Sequence, residues 1–213
     1  MRVERVHDES GRMGLHFTPS GYDGRWFITQ LTTDLSQSVV SPDRALVAAV
    51  LLHGGIGATA FHLDHPVSVT TVTAVARFLA PDFADVSPIS YQQQPFPPGP
   101  TKMHLYDGLP RSWGASSTGD RGEWDVHLVT AEASAGSFMT SNRILLATNA
   151  PHCSSGKDPA RALLAAAVVI AEELGVGVIE PHFPCEVERY RELLVSTGLA
   201  LVTPGLRASE SAG

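Results

Sequence analysis

His152-Cys153 and His182-x-x-Cys185 are the side chains best suited to chemistry. Imidazole and thiolate are both zinc ligands, and both serve nucleophilic catalysis. Each pair follows a stretch that reads as a strand of a parallel sheet. Such strands deliver their following loops to one edge, where open α/β sheets bind ligands. The spacing argues against a metal at these four residues. Adjacent His152 and Cys153 splay apart, no second Cys-x-x-Cys is present, and Pro184-Cys185 is only a fragment of a zinc-binding pattern. No metal is expected. Phe61-His62-Leu63-Asp64-His65 is a further His/acid cluster, and it reads as the polar end of a strand before Pro66.

The run from His152 to Lys157 also looks like the His-Cys-x5-Arg loop of tyrosine phosphatases. The arginine position falls on Pro159, however, and Arg161 comes two residues too late to clamp a phosphoryl group. His104-Leu105-Tyr106-Asp107-Gly108 is one residue short of the His-x-x-x-Asp-Gly of condensation-type acyltransferases and is discounted. Gly54-Gly55-Ile56-Gly57 follows a helix rather than a strand, so it reads as a helix stop rather than a phosphate cradle.

The turn at 154–160 has its own chemistry. Ser154, Ser155, Gly156, Lys157 and Ala160 precede or open a long helix, and free N–H groups at a helix start favour an anion. With Pro151 before it, and Ser196-Thr197-Gly198-Leu199 at the end of a later helix, the segment 149–202 resembles the acetyl-CoA-binding half of the GCN5-related N-acetyltransferases, the GNAT superfamily. Those proteins carry a strand, an Arg/Gln-x-x-Gly-x-Gly/Ala turn and a helix that together hold the coenzyme A pyrophosphate. Here Ser155 replaces the Arg/Gln, Asp158 replaces the first motif glycine, and Leu194 stands where many members have a tyrosine. The resemblance implies an N-acyltransferase that uses acetyl-CoA or another acyl-CoA as cosubstrate and a small amine or amino-bearing metabolite as acceptor. In such a reaction Ser154, Ser155, Gly156, Lys157 and Ala160 would bind the cofactor. Glu180 and His152, at strand ends, are the candidate catalytic proton acceptors. The alternatives are a catalytically silent ligand-binding relative and a His/Cys metal-dependent hydrolase.

Hydrophobic patterning supplies the elements that would position these groups. Strands are expected at residues 25–31, 58–63, 124–133, 143–149, 176–180 and 199–202. A helix starts at Ser41-Pro42 and runs to Leu52, and residues 69–79 read as another. A third opens at Asp158-Pro159 and stops at Gly175, and a fourth spans residues 185–197. Residues 91–122, rich in Pro and Gly, read as one long loop that would shape an acceptor pocket. The expected class is α/β (α+β): a mixed sheet with helices on its faces, some of it parallel, and a GNAT-like C-terminal half.

Composition bounds the rest. The 213 residues suit a single domain, divided into an N-terminal segment 1–90, the loop 91–122, the GNAT-like segment 123–206 and a disordered tail 207–213. A net charge of −7, with no basic block, argues against nucleic acid as a partner. No apolar run is long enough for a membrane span, and the N-terminus has no signal-peptide pattern, so a cytoplasmic protein with free Cys153 and Cys185 is expected. The expected partner is a small-molecule substrate, and a homodimer is left open.

Overall fold

The computed structural model describes residues 1–7, 13–21, 23, 28–35, 40–55, 57–82, 84–92, 96, 99–110, 122–130, 136–153 and 158–205. Residues 154–157, expected from the resemblance to bind a cofactor, and the tail 207–213 lie outside the described residues. The class is α/β, with two mixed sheets and four α-helices among the described residues.

Two helices are largely apolar and have no solvent-facing polar face. α1 (Pro42–His53) and α3 (Pro159–Ile170) are rich in Ala, Leu and Val, and almost all their side chains are buried. A helix without a polar face must be enclosed. The enclosure comes from two one-sided sheets. The first has the order β3-β2-β1-β4-β5, from β1 (Arg2–His7), β2 (Met13–Thr18), β3 (Gln30–Thr33), β4 (Ala60–Ser68) and β5 (Asp85–Ser90). The second has the order β11-β10-β6-β7-β9-β8, from β6 (Thr101–Asp107), β7 (Glu123–Val129), β8 (Phe138–Met139), β9 (Arg143–Ala147), β10 (Val176–Pro181) and β11 (Ala200–Leu201). Apolar side chains of both sheets and of all four helices, including α2 (Val69–Leu79) and α4 (Val187–Val195), form one continuous buried cluster.

Specific bonds tie the layers together. The Arg161 Nη2 of α3 donates to the carbonyls of Val50 (2.8 Å) and Gly54 (2.7 Å), so one helix satisfies acceptors at the C-terminus of the other. Asn149, after β9, uses its amide like a strand residue. Its Nδ2 donates to the Gln30 carbonyl and its Oδ1 accepts from the Thr32 N–H, both at 2.8 Å. That stitches the edge of the first sheet to the second.

Several expectations change. Residues 91–122 are not one loop, because β6 lies inside them at Thr101–Asp107. Its alternation of Lys102, His104 and Tyr106 with buried Met103 and Leu105 is a strand signal that the flanking Pro and Gly residues obscure. The strand expected at 25–31 is β3 at Gln30–Thr33, and residues 24–27 lie outside the described set. The strand at 58–63 continues past Pro66 to Ser68. The helix at 69–79 has the expected bounds, with Ser68 as N-cap accepting from the Thr71 N–H at 3.3 Å.

Candidate metal centre

The second sheet sorts its side chains by alternation. Met103, Leu105, Val126, Leu128, Ile144, Leu146 and Ile179 enter the shared core. The opposite face carries Lys102, His104 and Tyr106 on β6, Glu123, Asp125 and His127 on β7, and Glu180 with His182 at the end of β10. β6 and β10 run parallel with His104 directly beside Glu180, so the strand order gathers these polar groups although their sequence positions are far apart.

Three of them converge. His104 Nδ1 lies 3.1 Å from His182 Nε2. Glu180 Oε1 lies 3.4 Å from His104 Nδ1 and 3.2 Å from His182 Nε2. Among the described residues, this is the group of His, Cys, Asp and Glu side chains whose ligand atoms are close enough to share a metal ion. Atoms bound to one ion at about 2.0–2.2 Å, with tetrahedral or octahedral angles, stand about 2.9–3.5 Å from one another. The observed triangle has those dimensions.

The surroundings fix each ligand. Glu123 Oε2 lies 3.4 Å from the other nitrogen of His104, as an outer carboxylate orients a metal-binding imidazole. Lys102 Nζ pairs with Glu180 Oε2, leaving Oε1 toward the two imidazoles. Burial pushes the Glu180 carboxyl up, but the Lys102 hydrogen bond and the positive charge of Lys102 and the imidazoles outweigh it and hold the group below its ordinary value. Tyr106 is sandwiched between His182 (4.5 Å, 15°) and His127 (4.6 Å, 12°), which fixes the plane of the His182 ring. The His104 and Glu180 side chains are only 3% and 5% exposed while His182 is 19% exposed, so the site opens on the His182 side.

The expected site residues are placed differently. Glu180 is in this cluster as a prospective ligand. His152 is exposed in the 3-10 turn Ala150–Cys153, and the quartet of His152, Cys153, His182 and Cys185 does not assemble. β9 and β10 do deliver the two pairs from parallel strands of one sheet, but β7 and β6 lie between them. Three strand spacings of about 4.8 Å keep the pairs apart. Burial also pushes the thiols of Cys153 and Cys185 up to about 11, aided at Cys185 by Asp158 and Glu186, so both stay protonated near neutrality. Ala160 is buried in the first turn of α3.

Asp158 stands at the N-cap of α3, but its side chain makes no capping bond to that helix. Its Oδ2 instead accepts from the Tyr190 hydroxyl and, at 3.2 Å, from Arg189 of α4. Arg189 and Tyr190 both belong to α4, so the side chain that should cap one helix locks it to another. His104 is a prospective ligand that the sequence reading weighed only in the His104–Gly108 motif and discounted there. Its signal is the shared strand face with Lys102 and Tyr106.

No helix among the described residues is long and apolar enough to cross a membrane. Comparison of the chain with family models, with curated proteins and with solved structures gave no match.

Proposed function

We propose that the chain is a metal-dependent hydrolase with a zinc-class divalent ion held by His104 Nδ1, Glu180 Oε1 and His182 Nε2. The observation that carries this reading is the triangle of donor atoms at 3.1, 3.4 and 3.2 Å, with Glu123 behind His104. Two imidazoles and one carboxylate with an open position form the donor set of catalytic zinc sites. When bound, such an ion lowers the pKa of a coordinated water to about 7 and polarises a substrate carbonyl or phosphoryl oxygen.

The chain's own residues do the rest. Glu123 keeps the His104 proton on Nε2 and its lone pair on Nδ1. The Tyr106 ring holds the His182 plane. Lys102 restrains Glu180 to one-oxygen binding and places a positive charge beside the reaction centre, where a developing oxyanion is stabilised. A small-molecule substrate would enter on the side of His182, the most exposed of the three prospective ligands.

The acyl-CoA-dependent N-acyltransferase is the second reading. It rests on the sequence resemblance over 149–202, whose residues 154–157 lie outside the described residues. The strands flanking that helix, β9 and β10, are separated by β7 and β6, and Asp158 is engaged by α4. One assay set separates the readings. The purified chain is stripped with a chelator, reloaded with zinc, and offered nitrophenyl acetate, a nitrophenyl phosphodiester, and acetyl-CoA with a mixture of amines. Zinc-restored hydrolysis that is lost in Glu180→Gln is expected. Metal-independent release of coenzyme A in the presence of an amine would establish the acyltransferase instead.

A further inference from the structure

A cavity lies away from this centre, at the opposite end of the same strands. Its volume is about 290 Å³, and Arg44, Phe96, Pro100, Ala171, Glu172 and Val176 line it. At about 30 Å³ per water it has room for roughly ten water molecules, close to the lower end of small-molecule sites. The backbones that frame it come very close together. A Cβ on Gly177 would stand 2.2 Å from the Gly99 carbonyl oxygen, so only glycine permits the crossing of the segment before β6 with the start of β10.

The polar side chains of this cavity are Arg44, in the first turn of α1 and only 4% exposed, and the exposed Glu172. The Arg44 Nε donates to the Thr197 carbonyl at 3.4 Å. Its Nη1 is buried and meets no acceptor. Among the described residues no carboxylate forms an ion pair with it. Glu172 acts on it through space, while Glu172 Oε2 accepts the Ser41 N–H at 2.9 Å. A guanidinium removed from water without a paired anion is costly, and its planar fork is shaped to take two oxygens at once. The remaining walls are Phe96, Pro100, Ala171 and Val176, which offer apolar contact.

We propose that this cavity binds a small organic carboxylate with a compact apolar body, its carboxylate on the Arg44 guanidinium and its apolar portion among Phe96, Pro100 and Val176. The site is independent of the metal centre. Hexanoate is the probe and hexanol its uncharged control, each titrated calorimetrically into the full chain. Hexanoate binding at least about tenfold tighter than hexanol is expected, with Arg44→Met losing that margin while remaining folded. Because a buried substitution risks misfolding, the Arg44 Nε–H resonance of the unaltered protein is followed in parallel, and a saturable shift with hexanoate but not hexanol is expected. Equal affinity for the two probes, or an Arg44 resonance indifferent to hexanoate, overturns the proposal.

Discussion

The Nδ1 atom of His104 and the Nε2 atom of His182 face each other at 3.1 Å across the β6–β10 pair. Two imidazole nitrogens at that distance either share one proton or turn both lone pairs to a cation. Glu123, on the far nitrogen of His104, favours the second arrangement by drawing the His104 proton to Nε2. Removing that outer carboxylate with Glu123→Gln should therefore weaken zinc affinity by about 10–100-fold and leave the fold intact. Competition against a chromophoric chelator measures it, and an unchanged affinity would detach Glu123 from the site.

The cysteines give the complementary test. Both thiols are pushed up to about 11 by burial, and neither belongs to the triangle. Cys153→Ser and Cys185→Ser should bind zinc as tightly as the unaltered chain. A loss of more than about tenfold in either would bring back the His/Cys quartet that the sequence spacing argued against.

His53 makes stability depend on pH. It is buried at the C-terminal end of α1, edge-on to Phe17 at 4.5 Å between ring centroids. Burial, with the positive charge of Arg161, lowers its pKa from 6.5 to about 4. The unfolded chain therefore takes up a proton before the folded one does. The stabilisation is full above about pH 6.5 and is lost as pH falls toward about 4, with a size of about 3 kcal/mol. Urea unfolding of the wild type and of His53→Leu should show the wild type losing stability relative to the variant by that order between about pH 7.5 and pH 4. A difference flat across that range would contradict the assignment.

Asp158 separates a local cap from a tertiary lock. A capping aspartate exchanged for glycine costs only a few tenths of a kcal/mol. Here the Asp158 carboxylate accepts from Tyr190, whose ring is fully buried, and from Arg189. A hydrogen bond to a charged group contributes about 1.5–3 kcal/mol. Asp158→Gly should cost about 2 kcal/mol, and most of that cost should vanish in a Tyr190→Phe background. Additive costs in that double-mutant cycle would mean the two side chains do not act together.

Local signals carry much of the architecture. Ser41-Pro42 and Asp158-Pro159 mark two helix starts, and Gly175 and Gly198 stand at positive φ where helices end. β6 is harder to find because its seven residues sit among Pro and Gly, and its polar face is as prominent as its apolar one. The site is only partly legible. Glu180 and His182 stand two apart, so one strand face holds both, and each draws attention for a different reason. Their third partner, His104, comes from another strand, and only the order that places β6 beside β10 brings it in. Nothing in local propensity encodes that adjacency. The same strand order separates His152-Cys153 from His182-x-x-Cys185, whose spacing in the sequence already argued against a shared metal.

Metal stoichiometry bears most directly on the central claim. The purified chain, stripped and then titrated with zinc, is passed through a desalting column and analysed by mass spectrometry for bound metal. One zinc per chain with a dissociation constant of about 1 μM or lower is predicted, and it is lost in both His104→Ala and His182→Ala while circular dichroism stays unchanged. A chain that retains no divalent transition metal, or one that retains it equally well in both variants, would contradict the account.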